Sequence, residues 1–399
     1  MKISNGVNIG VFFGSRSPEH DISIITGQLI IAGLRKLNHQ ITPVYLDKEG
    51  IWRIGDDLGS LKTFSDHKDL SGFEKYFLDL EKSQGKLVFR KKGLTGKEIV
   101  IDLAFPAFHG ANGEDGTAQG MFEMFNVPYV GCNVASSAVA MDKVLTKLFY
   151  KAQGIPTTEF THFTLQDWQA DKISVIKNIT AKLKWPLFVK PPLLGSSIGI
   201  NKANNEKELE FAAEVALHYG NTVLVEEAVE NLMDVTCAVR GLENPQPSLL
   251  QESVYSQELL SYNDKYINDG GAQTGKSSKS VVIPARLEAQ TTKEIQDLSV
   301  KIFQTLGCSG IARFDFLYNA ETKKYYANEI NPLPGTLYHH LWAKSGVELA
   351  ALLQGLIKAA TDAHTAKKRY TSTFESDIWK TVASSKLQLK KDGAGKPVS

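Results

Sequence analysis

The segment GIARFDFLYNAETKKYYANEIN, residues 310–331, constrains the fold more than any other part of the chain. Apolar side chains alternate in two runs with the period of a β-strand, and NAETKK between them has the composition of a turn. The segment therefore predicts a β-hairpin with one apolar face. Phe314 and Phe316 lie on that face, so Arg313 and Asp315 lie on the opposite, polar face.

The polar face of this hairpin collects oxygen-bearing side chains. Glu329 and Asn331 alternate in the second strand, so a hairpin places them beside Asp315. Carboxylate and amide oxygens are the ligands that Mg2+ prefers, which gives one interpretation, a Mg2+–phosphate site. The other interpretation is an exposed polar sheet face. The following NPLPG favours the site, because the backbone of Gly335 can approach a ligand closely.

Strand and helix patterns alternate elsewhere in the chain. GVNIGVFFG, a helical pattern over residues 17–37 and ITPVYLD form the unit that builds parallel sheets. Ser17 as N-cap and Pro18 as the first residue predict where this helix begins. ASSAVAMDKVLTKLFYKAQ is predicted as a single helix that Gly154 ends. The fold class is therefore α/β combined with α+β.

Bulk properties exclude several classes of protein. A chain of 399 residues exceeds the size of one core, so several domains are expected. Its 45 basic and 44 acidic side chains form no basic stripe, which argues against a nucleic-acid partner. No apolar run approaches the roughly 20 residues of a membrane span, and the three cysteines form no CxxC pair. We expect a soluble, cytoplasmic protein with no membrane partner.

Three further segments have the composition of binding sites. Lys190 stands at the end of a strand before the loop LLGSSIG, whose N–H groups can surround a phosphate, although most such loops are turns. Lys143 in MDKVLTK and the acids 226–227 in VEEAV are, taken singly, more typical of solvated charges. Residues 255–279 form a long polar segment, which predicts a lid or a disordered loop.

Eight motifs resemble those of the D-alanine:D-alanine ligases of the ATP-grasp superfamily. In chain order they are GSRSPEHDIS, FPAFHGANGEDGTAQG, VPYVG, AVAMDKVLTK, PLFVKPPLLGSSIGINK, VLVEEAV, GIARFDF and NEINPLPG. The resemblance extends from about Ile9 to Ala360. It implies an ATP-grasp fold of three domains, with ATP bound between the central and C-terminal domains.

The resemblance also divides the chain. It implies an N-terminal Rossmann-like substrate domain with a parallel sheet over residues 1–131 and a central ATP-grasp subdomain over residues 132–226. A C-terminal subdomain covers residues 227–363 and carries the lid at residues 255–279. Residues 364–399 form an extension whose end we expect to be disordered.

The activity implied by the resemblance is ATP-dependent ligation. The carboxylate of D-alanine is activated as an acyl phosphate, the amine of a second D-alanine attacks it, and ADP and phosphate leave. The product, D-alanyl-D-alanine, is a peptidoglycan precursor. Implied cofactors are ATP and two Mg2+ ions, which Mn2+ could replace, and a homodimer is implied. The alternatives are an ATP-grasp ligase with another amino acid or hydroxy acid as second substrate, and a catalytically silent nucleotide-binding protein.

The resemblance further implies a role for individual residues. The implied ATP-binding residues are Lys143, Lys190, Gly195, Ser196, Ser197, Glu226, Glu227, Val229 and Asp234. The implied metal ligands are Asp315, Glu329 and Asn331. Arg313 and the Gly335 N–H would stabilise the tetrahedral oxyanion, an effect worth about 3 kcal/mol per donor. Glu19 would accept the ammonium group of the first substrate, with His109 nearby.

The predicted lid would close the site. Lys265 and Tyr266 lie on it, and the resemblance implies that Tyr266 hydrogen-bonds with Glu19 and Ser196 to exclude water. Closure is needed because an acyl phosphate would hydrolyse in an open site.

The sequence departs from the family pattern at two places. Asp234 stands where the family has a glutamate for the ATP ribose, after one inserted residue. The segment PGTLYHHLWAKSG is shorter than in the family and lacks the serine that holds the carboxylate of the second substrate. Tyr338, His339 or His340 could take that role, and a protonated histidine would pair with a carboxylate. Each of the three, taken singly, is more typical of a packing residue.

Overall fold

The computed structural model describes residues 6–66, 70–91, 96–254, 281–371, 373 and 375–377. The strands of the described residues are β1 (Asn8–Gly14), β2 (Gln40–Leu46), β3 (Trp52–Ile54), β4 (Lys75–Leu78), β5 (Leu87–Lys91), β6 (Glu98–Ile101), β7 (Leu103–Pro106), β8 (Phe160–Thr164), β9 (Leu187–Lys190), β10 (Asn201–Ala203), β11 (Thr222–Glu227), β12 (Leu232–Gly241), β13 (Gln246–Ser253), β14 (Val281–Val282), β15 (Gly310–Asn319) and β16 (Tyr325–Asn331). The α-helices are α1 (His20–Lys36), α2 (Leu61–Asp66), α3 (Thr117–Met124), α4 (Val134–Met141), α5 (Lys143–Ala152), α6 (Leu165–Lys182), α7 (Glu206–Leu217), α8 (Ala289–Thr305), α9 (His339–Lys344) and α10 (Leu349–Lys367). The predicted lid and nearly all of the predicted extension beyond Lys367 lie outside the described residues.

The first sheet has the strand order β6-β5-β4-β3-β2-β1-β7. The predicted mixed fold class is confirmed, and the N-terminal sheet contains the expected parallel strands beside antiparallel ones. Only β2 and β7 run parallel to β1, and the other neighbours are antiparallel. The reason is loop length. The turn after β2 is closed by the Asp47 carboxylate, which accepts the N–H of Ile51 at 2.7 Å, and so short a connection can join only antiparallel strands.

Helix α1 begins two residues later than predicted, at His20 and not at Pro18. Ser17 is not the N-cap. Its hydroxyl accepts the N–H of Glu19 at 3.1 Å, and its carbonyl accepts the N–H of His20 at 3.1 Å. These local bonds form a turn before the helix, as serine side chains often do. Glu19 is consequently the N-cap residue, and its buried carboxylate makes no capping hydrogen bond, so it is available to other partners.

The single helix predicted over ASSAVAMDKVLTKLFYKAQ is two helices. Asp142 leaves the helical conformation, and its carboxylate accepts the N–H groups of Val144 at 2.8 Å and Leu145 at 3.2 Å, so it is the N-cap of α5. Gly154 follows the end of α5 with φ of 62°, as predicted. Lys143 is therefore the first residue of α5. A cation is disfavoured there by the helix dipole, so helix stability does not explain it.

The second and third sheets are antiparallel. The second has the order β10-β9-β11-β8 and packs against α6 and α7, and the third has the order β14-β13-β12-β15-β16 and packs against α8. The predicted hairpin is confirmed as β15 and β16. Asp315 lies opposite Glu329, and Arg313 lies opposite Asn331. Phe314 and Phe316 point into the core on the other face.

The first sheet shares its core with the C-terminal part of the chain. Ile30 and Leu34 of α1 pack in one cluster with Leu337, Trp342 and Leu356. Helix α1 also contacts the turn Gly335–Tyr338 that follows β16. This packing brings the N-terminal end of α1 close to the polar face of the hairpin.

The last helix of the described residues continues past His364 to Lys367. No helix within the described ranges combines the length and apolarity that crossing a bilayer requires. The three cysteines are buried and free.

Candidate functional site

One pocket collects nine of the predicted site residues. It is lined by Glu19, His109, Glu114, Ala140, Met141, Lys143, Gly195, Ser196, Arg313, Glu329, Ile330, Asn331, Pro332, Leu333 and Gly335. These residues come from the start of α1 and the loop after β7, from α4 and the start of α5, from the loop after β9, and from the hairpin β15–β16 with the segment that follows it. Four separate parts of the chain therefore converge on one volume.

The Gly/Ser loop closes onto the beginning of α1. The Ser196 hydroxyl donates to the Glu19 carboxylate at 2.5 Å, and both side chains are buried. A Cβ atom at Gly195 would lie 2.8 Å from Glu19 Oε2, so a larger residue there would displace the Glu19 carboxylate from its present position. Two of the three members of the predicted closing network are thus in contact. The third, Tyr266, lies with Lys265 outside the described residues.

Lys190 and Glu226 belong to a buried charge cluster with Lys147. Lys147 Nζ lies 2.6 Å from one Glu226 oxygen, while Lys190 pairs with the other. The Thr158 hydroxyl also donates to Glu226 at 2.9 Å. Burial disfavours the charge, but Lys147 and Lys190 outweigh it and lower the pKa of Glu226 to about 2. Glu226 is therefore ionised and far from a solvated surface acid.

Sequence reasoning did not single out Lys147. Burial lowers the pKa of Lys147. Its side chain is 1% exposed, so its ammonium group pairs with Glu226 and has almost no contact with solvent. The available signal was its spacing, since it lies one helical turn after Lys143 and faces the same way.

Replacing Lys147 by methionine is expected to lower the free energy of unfolding by about 3 kcal/mol, because it leaves the buried Glu226 charge with a single lysine. Lys151→Met is the matched control in the same helix. Lys151 is half-exposed and pairs with Glu159 at 3.2 Å, so its loss should change stability by less than about 1 kcal/mol. Urea denaturation measures both, and an equal loss in the two variants would contradict the assigned cluster.

Lys143 connects the Gly/Ser loop to the hairpin. Its Nζ donates to the Leu194 carbonyl at 2.8 Å and lies 3.5 Å from Glu329 Oε2. The side chain is buried, so its charge acts inside the pocket. The cation at the start of α5 is thus placed for ligand contact.

The polar face of the hairpin is a dense charge network. Arg313 donates to the Asp315 carboxylate from Nε at 3.0 Å and from Nη2 at 2.6 Å, and Nη2 lies 3.8 Å from Glu329. The Thr236 hydroxyl and the Asn331 amide also donate to Asp315, at 2.8 and 3.1 Å. Burial raises the pKa of Asp315, Arg313 opposes this, and Glu329 adds to it. Two neighbouring carboxylates that repel each other favour a bound cation.

The donor chemistry of this face fits a hard metal ion. Asp315, Glu329 and Asn331 offer carboxylate and amide oxygens, which suit Mg2+ or Mn2+ and not a thiolate-binding metal. Among the described residues, no group of three or more His, Cys, Asp or Glu side chains could hold a metal. The predicted set has only two carboxylates, so phosphate oxygens and water would have to complete the coordination.

Besides Lys190 and Glu226, four predicted nucleotide contacts lie away from the pocket lining. Glu227 ends β11 and accepts the Lys184 N–H at 2.8 Å, and Val229 follows that strand. Asp234 lies in β12, opposite Leu317. Ser197 follows Ser196 in the loop, with φ of 60°. Their roles as ATP contacts stay predictions.

The segment after Gly335 has an unusual backbone. Thr336, Leu337 and Tyr338 have φ of 48°, 56° and 50°, in the left-handed region that residues other than glycine seldom adopt. The Tyr338 ring lies against the Arg313 guanidinium, 4.9 Å from its centroid. The Tyr338 ring therefore packs against the Arg313 guanidinium and helps to hold it in place.

The two histidines of this segment have protein partners. His340 Nε2 shares a hydrogen bond with Gln251 at 2.7 Å, and His339 Nδ1 one with the Thr336 carbonyl at 3.2 Å. Burial lowers the pKa of His340 to about 4, so the ring is neutral near pH 7. Neither histidine nor Tyr338 lines the pocket. Their contact with a second substrate stays a prediction.

Glu114 is a pocket residue that the sequence reasoning missed. Its carboxylate accepts the Gly110 N–H at 2.8 Å and lies 3.8 Å from His109 Nδ1. Both side chains are buried. The signal was the presence of two acids in the quoted motif HGANGEDG, of which Glu114 is buried and Asp115 partly exposed.

Two family models match the N-terminal and C-terminal parts of the sequence. The D-ala D-ala ligase N-terminus matches residues 8–132, and the D-ala D-ala ligase C-terminus matches residues 149–358. The chain belongs to the D-alanine–D-alanine ligase family. A D-alanine–D-alanine ligase of Thermosipho africanus is 35% identical over 94% of this chain and 98% of its own. That of Thermosipho melanesiensis is 38% identical over 91% and 96%.

Solved structures of the ligase family share the fold. The D-alanine-D-alanine ligase from Coxiella burnetii has a TM-score of 0.76 and 28% identity, covering 96% of this chain and 99% of its own. The VanG D-Ala:D-Ser ligase from Enterococcus faecalis has a TM-score of 0.74 and 30% identity, covering 89% and 99%. The predicted ATP-grasp fold is thereby confirmed.

Proposed function

We propose that this protein is an ADP-forming ligase that uses ATP to join two D-alanine molecules into D-alanyl-D-alanine for peptidoglycan synthesis. The observation that carries the proposal is the convergence of Glu19, Lys143, Arg313 and Gly335 on one pocket of a D-alanine–D-alanine ligase family member. A catalytically silent nucleotide binder would have no need for an oxyanion arginine beside two carboxylates.

The nucleotide side of the pocket neutralises phosphate charge. Lys143 and Lys190 supply cations, and the loop of Gly195, Ser196 and Ser197 supplies N–H groups and hydroxyls. Glu226, Glu227 and Val229 meet the adenine, and Asp234 meets the ribose. Screening is needed because the transferring phosphoryl group and the attacking carboxylate are both anionic.

Asp315, Glu329 and Asn331 hold the Mg2+ ions that accompany ATP. When bound, these ions neutralise phosphate charge that the lysines alone do not cover. Around them, Arg313 keeps its guanidinium fixed between Asp315 and the Tyr338 ring, so it is oriented before substrate arrives.

The amino-acid side of the pocket binds the first D-alanine. Glu19 accepts hydrogen bonds from the ammonium group of this D-alanine. His109, which lines the same pocket, lies near the same substrate. When the second amine attacks the activated carboxyl carbon, negative charge develops on its oxygen. Arg313 and the Gly335 N–H stabilise that charge, and Tyr266 and Lys265 on the lid keep water out.

The second D-alanine lies against the segment that follows Gly335. Tyr338, His339 and His340 are the residues of this segment that offer polar groups for its carboxylate. Because His340 is neutral near pH 7, its contribution is a hydrogen bond and not an ion pair. D-Serine is the competing acceptor, since a similar structure is a D-Ala:D-Ser ligase.

The chain acts as a homodimer in the cytoplasm under this proposal. The dimer follows from the family resemblance, and the compartment follows from the need for ATP. Size-exclusion chromatography with light scattering tests the first, because a monomer of 43.9 kDa and its dimer are well separated in mass.

The purified protein is expected to convert ATP to ADP and phosphate in the presence of D-alanine, and to form D-alanyl-D-alanine in equal amount. Phosphate release and product mass are measured across pairs drawn from D-alanine, D-serine, D-lactate and L-alanine. Formation of AMP, or no stimulation above the rate with ATP alone, would exclude the ligase. If the protein prefers D-serine as acceptor, the second substrate is D-serine and not D-alanine.

A further inference from the structure

Thr26 is a fully buried residue of α1 that contacts two segments of the pocket at once. Its Oγ1 lies 2.8 Å from His109 Nε2, which follows β7. The same oxygen accepts the N–H of Thr336 at 3.0 Å. Thr336 is the residue directly after Gly335, the proposed oxyanion donor. One hydroxyl therefore joins the first-substrate side of the pocket to the oxyanion side.

The hydrogen positions in this chain of contacts follow from which groups can donate. A backbone N–H only donates, so Thr26 Oγ1 is the acceptor toward Thr336. A hydroxyl oxygen has two lone pairs, so this contact alone leaves Thr26 able either to donate to His109 Nε2 or to accept from it. The Glu114 carboxylate, which lies 3.8 Å from His109 Nδ1, favours the ring proton on Nδ1 and leaves Nε2 to accept from Thr26. Glu114 and the Thr26 hydroxyl together thus favour one of the two neutral tautomers of His109.

The contact with Thr336 also bears on backbone conformation. Thr336 has φ of 48° and begins the run of three left-handed residues, which persists only where the surroundings hold it. The Thr336 N–H is buried and has the Thr26 hydroxyl as its acceptor. Losing that acceptor removes one restraint on the peptide that presents the Gly335 N–H.

We propose that Thr26 is a positioning residue of the ligation reaction: together with Glu114 it fixes the tautomer and orientation of His109 and, through Thr336, it fixes the placement of the Gly335 oxyanion donor. The proposal rests on the function proposed above. Thr26 does not touch the reacting atoms, since it is absent from the pocket lining in the described part of the chain. Its effect is transmitted through His109 and Thr336.

Thr26→Val tests this proposal because valine keeps the shape of threonine and removes only the hydroxyl. We expect kcat to fall by about 10- to 100-fold, since both partners lose a buried hydrogen bond. The KM for ATP should stay within about 2-fold. Thr26→Ser, which keeps the hydroxyl, should restore most of kcat. Thr361→Val is the control, because the Thr361 hydroxyl donates only to the Ile357 carbonyl in α10, at 2.9 Å.

A second measurement does not depend on any Thr26 variant. Ring 15N chemical shifts of the full-length protein, with His109 assigned by difference from His109→Gln, report the tautomer directly. We expect a protonated Nδ1 and an unprotonated Nε2. The opposite tautomer would overturn the proposal, even if Thr26→Val failed to fold.

The remaining outcomes separate the two proposals. Wild-type protein that makes no dipeptide overturns the proposed function. Wild-type protein that ligates while Thr26→Val retains full kcat overturns the role of Thr26 alone. So does a Thr26→Ser variant as impaired as Thr26→Val, because the hydroxyl is then not the cause.

Discussion

Replacing Asp315 by asparagine is expected to lower kcat by about 1,000-fold or more. Asparagine is nearly isosteric with aspartate, so it removes a charge from the face proposed to bind metal while leaving an oxygen that can still accept from Arg313. A loss of this size corresponds to about 4 kcal/mol of transition-state stabilisation, within the range of a lost metal ligand. Steady-state phosphate release at saturating ATP and D-alanine measures it.

Two comparisons make the Asp315 result interpretable. Asp297→Asn removes a carboxylate that is exposed on α8 and pairs only with Lys293 one turn away, so activity should not change. The Mg2+ dependence separates ligand loss from misfolding, because a weakened metal site raises the Mg2+ concentration needed for half-maximal rate. Stabilisation of the protein by Mg2+ and ATP in thermal melting should shrink in parallel. An unchanged rate at limiting Mg2+ would refute the ligand assignment.

Arg313→Gln is expected to lower kcat by about 100- to 1,000-fold with little change in the KM for ATP. The reason is that Arg313 acts on the oxyanion in the proposed mechanism, where the charge develops only on the way to the transition state, and one such donor is worth about 3–4 kcal/mol. Arg35→Gln is the control, since Arg35 is half-exposed on α1 and pairs with Asp56 at 4.0 Å.

The Arg313 variant also has a structural consequence that must be measured. Arg313 is buried between Asp315 and the Tyr338 ring. Replacing it by glutamine removes the positive charge that balances the carboxylates of Asp315 and Glu329. Melting temperatures of wild type and variant, with and without Mg2+, show whether the loss of rate follows loss of fold. If ATP binding weakens as much as kcat falls, Arg313 is a nucleotide contact and the oxyanion role is wrong.

Sequence patterns within a short segment predicted those features of the fold that interactions within the same segment determine. The alternation in β15 and β16 placed Arg313 and Asp315 on the face opposite Phe314, because the strand period leaves no other arrangement. The position of Gly154 predicted the end of α5, because a left-handed residue after a helix favours glycine. The positions of helix starts were less predictable. At Ser17 and Asp142, side chains competed for backbone N–H groups, and only the surrounding structure decides such competitions.

The site could be predicted only as far as the resemblance carried it. Single charges such as Lys143 and Glu226 look like surface residues in sequence, because burial is a property of the assembled domains. Thr26 lies outside the motifs, and Lys147, although it ends one of them, is distinguished only by its spacing from Lys143. Their partners, His109 and Glu226, are dozens of residues away in the chain, so only tertiary structure identifies them.

The core shared by the two ends of the chain has a consequence for synthesis of the protein. Gly33 of α1 packs so closely on Leu353 that a Cβ atom would lie 2.4 Å from that side chain, and Ile30 and Leu34 lie in the same cluster. On the ribosome, α1 emerges more than 300 residues before α10, so the part of its apolar face that packs on α10 stays uncovered until α10 has been synthesised. The pocket lined by Glu19, which stands at the start of the same helix, therefore takes its final shape only after the C-terminal elements of this core have been made.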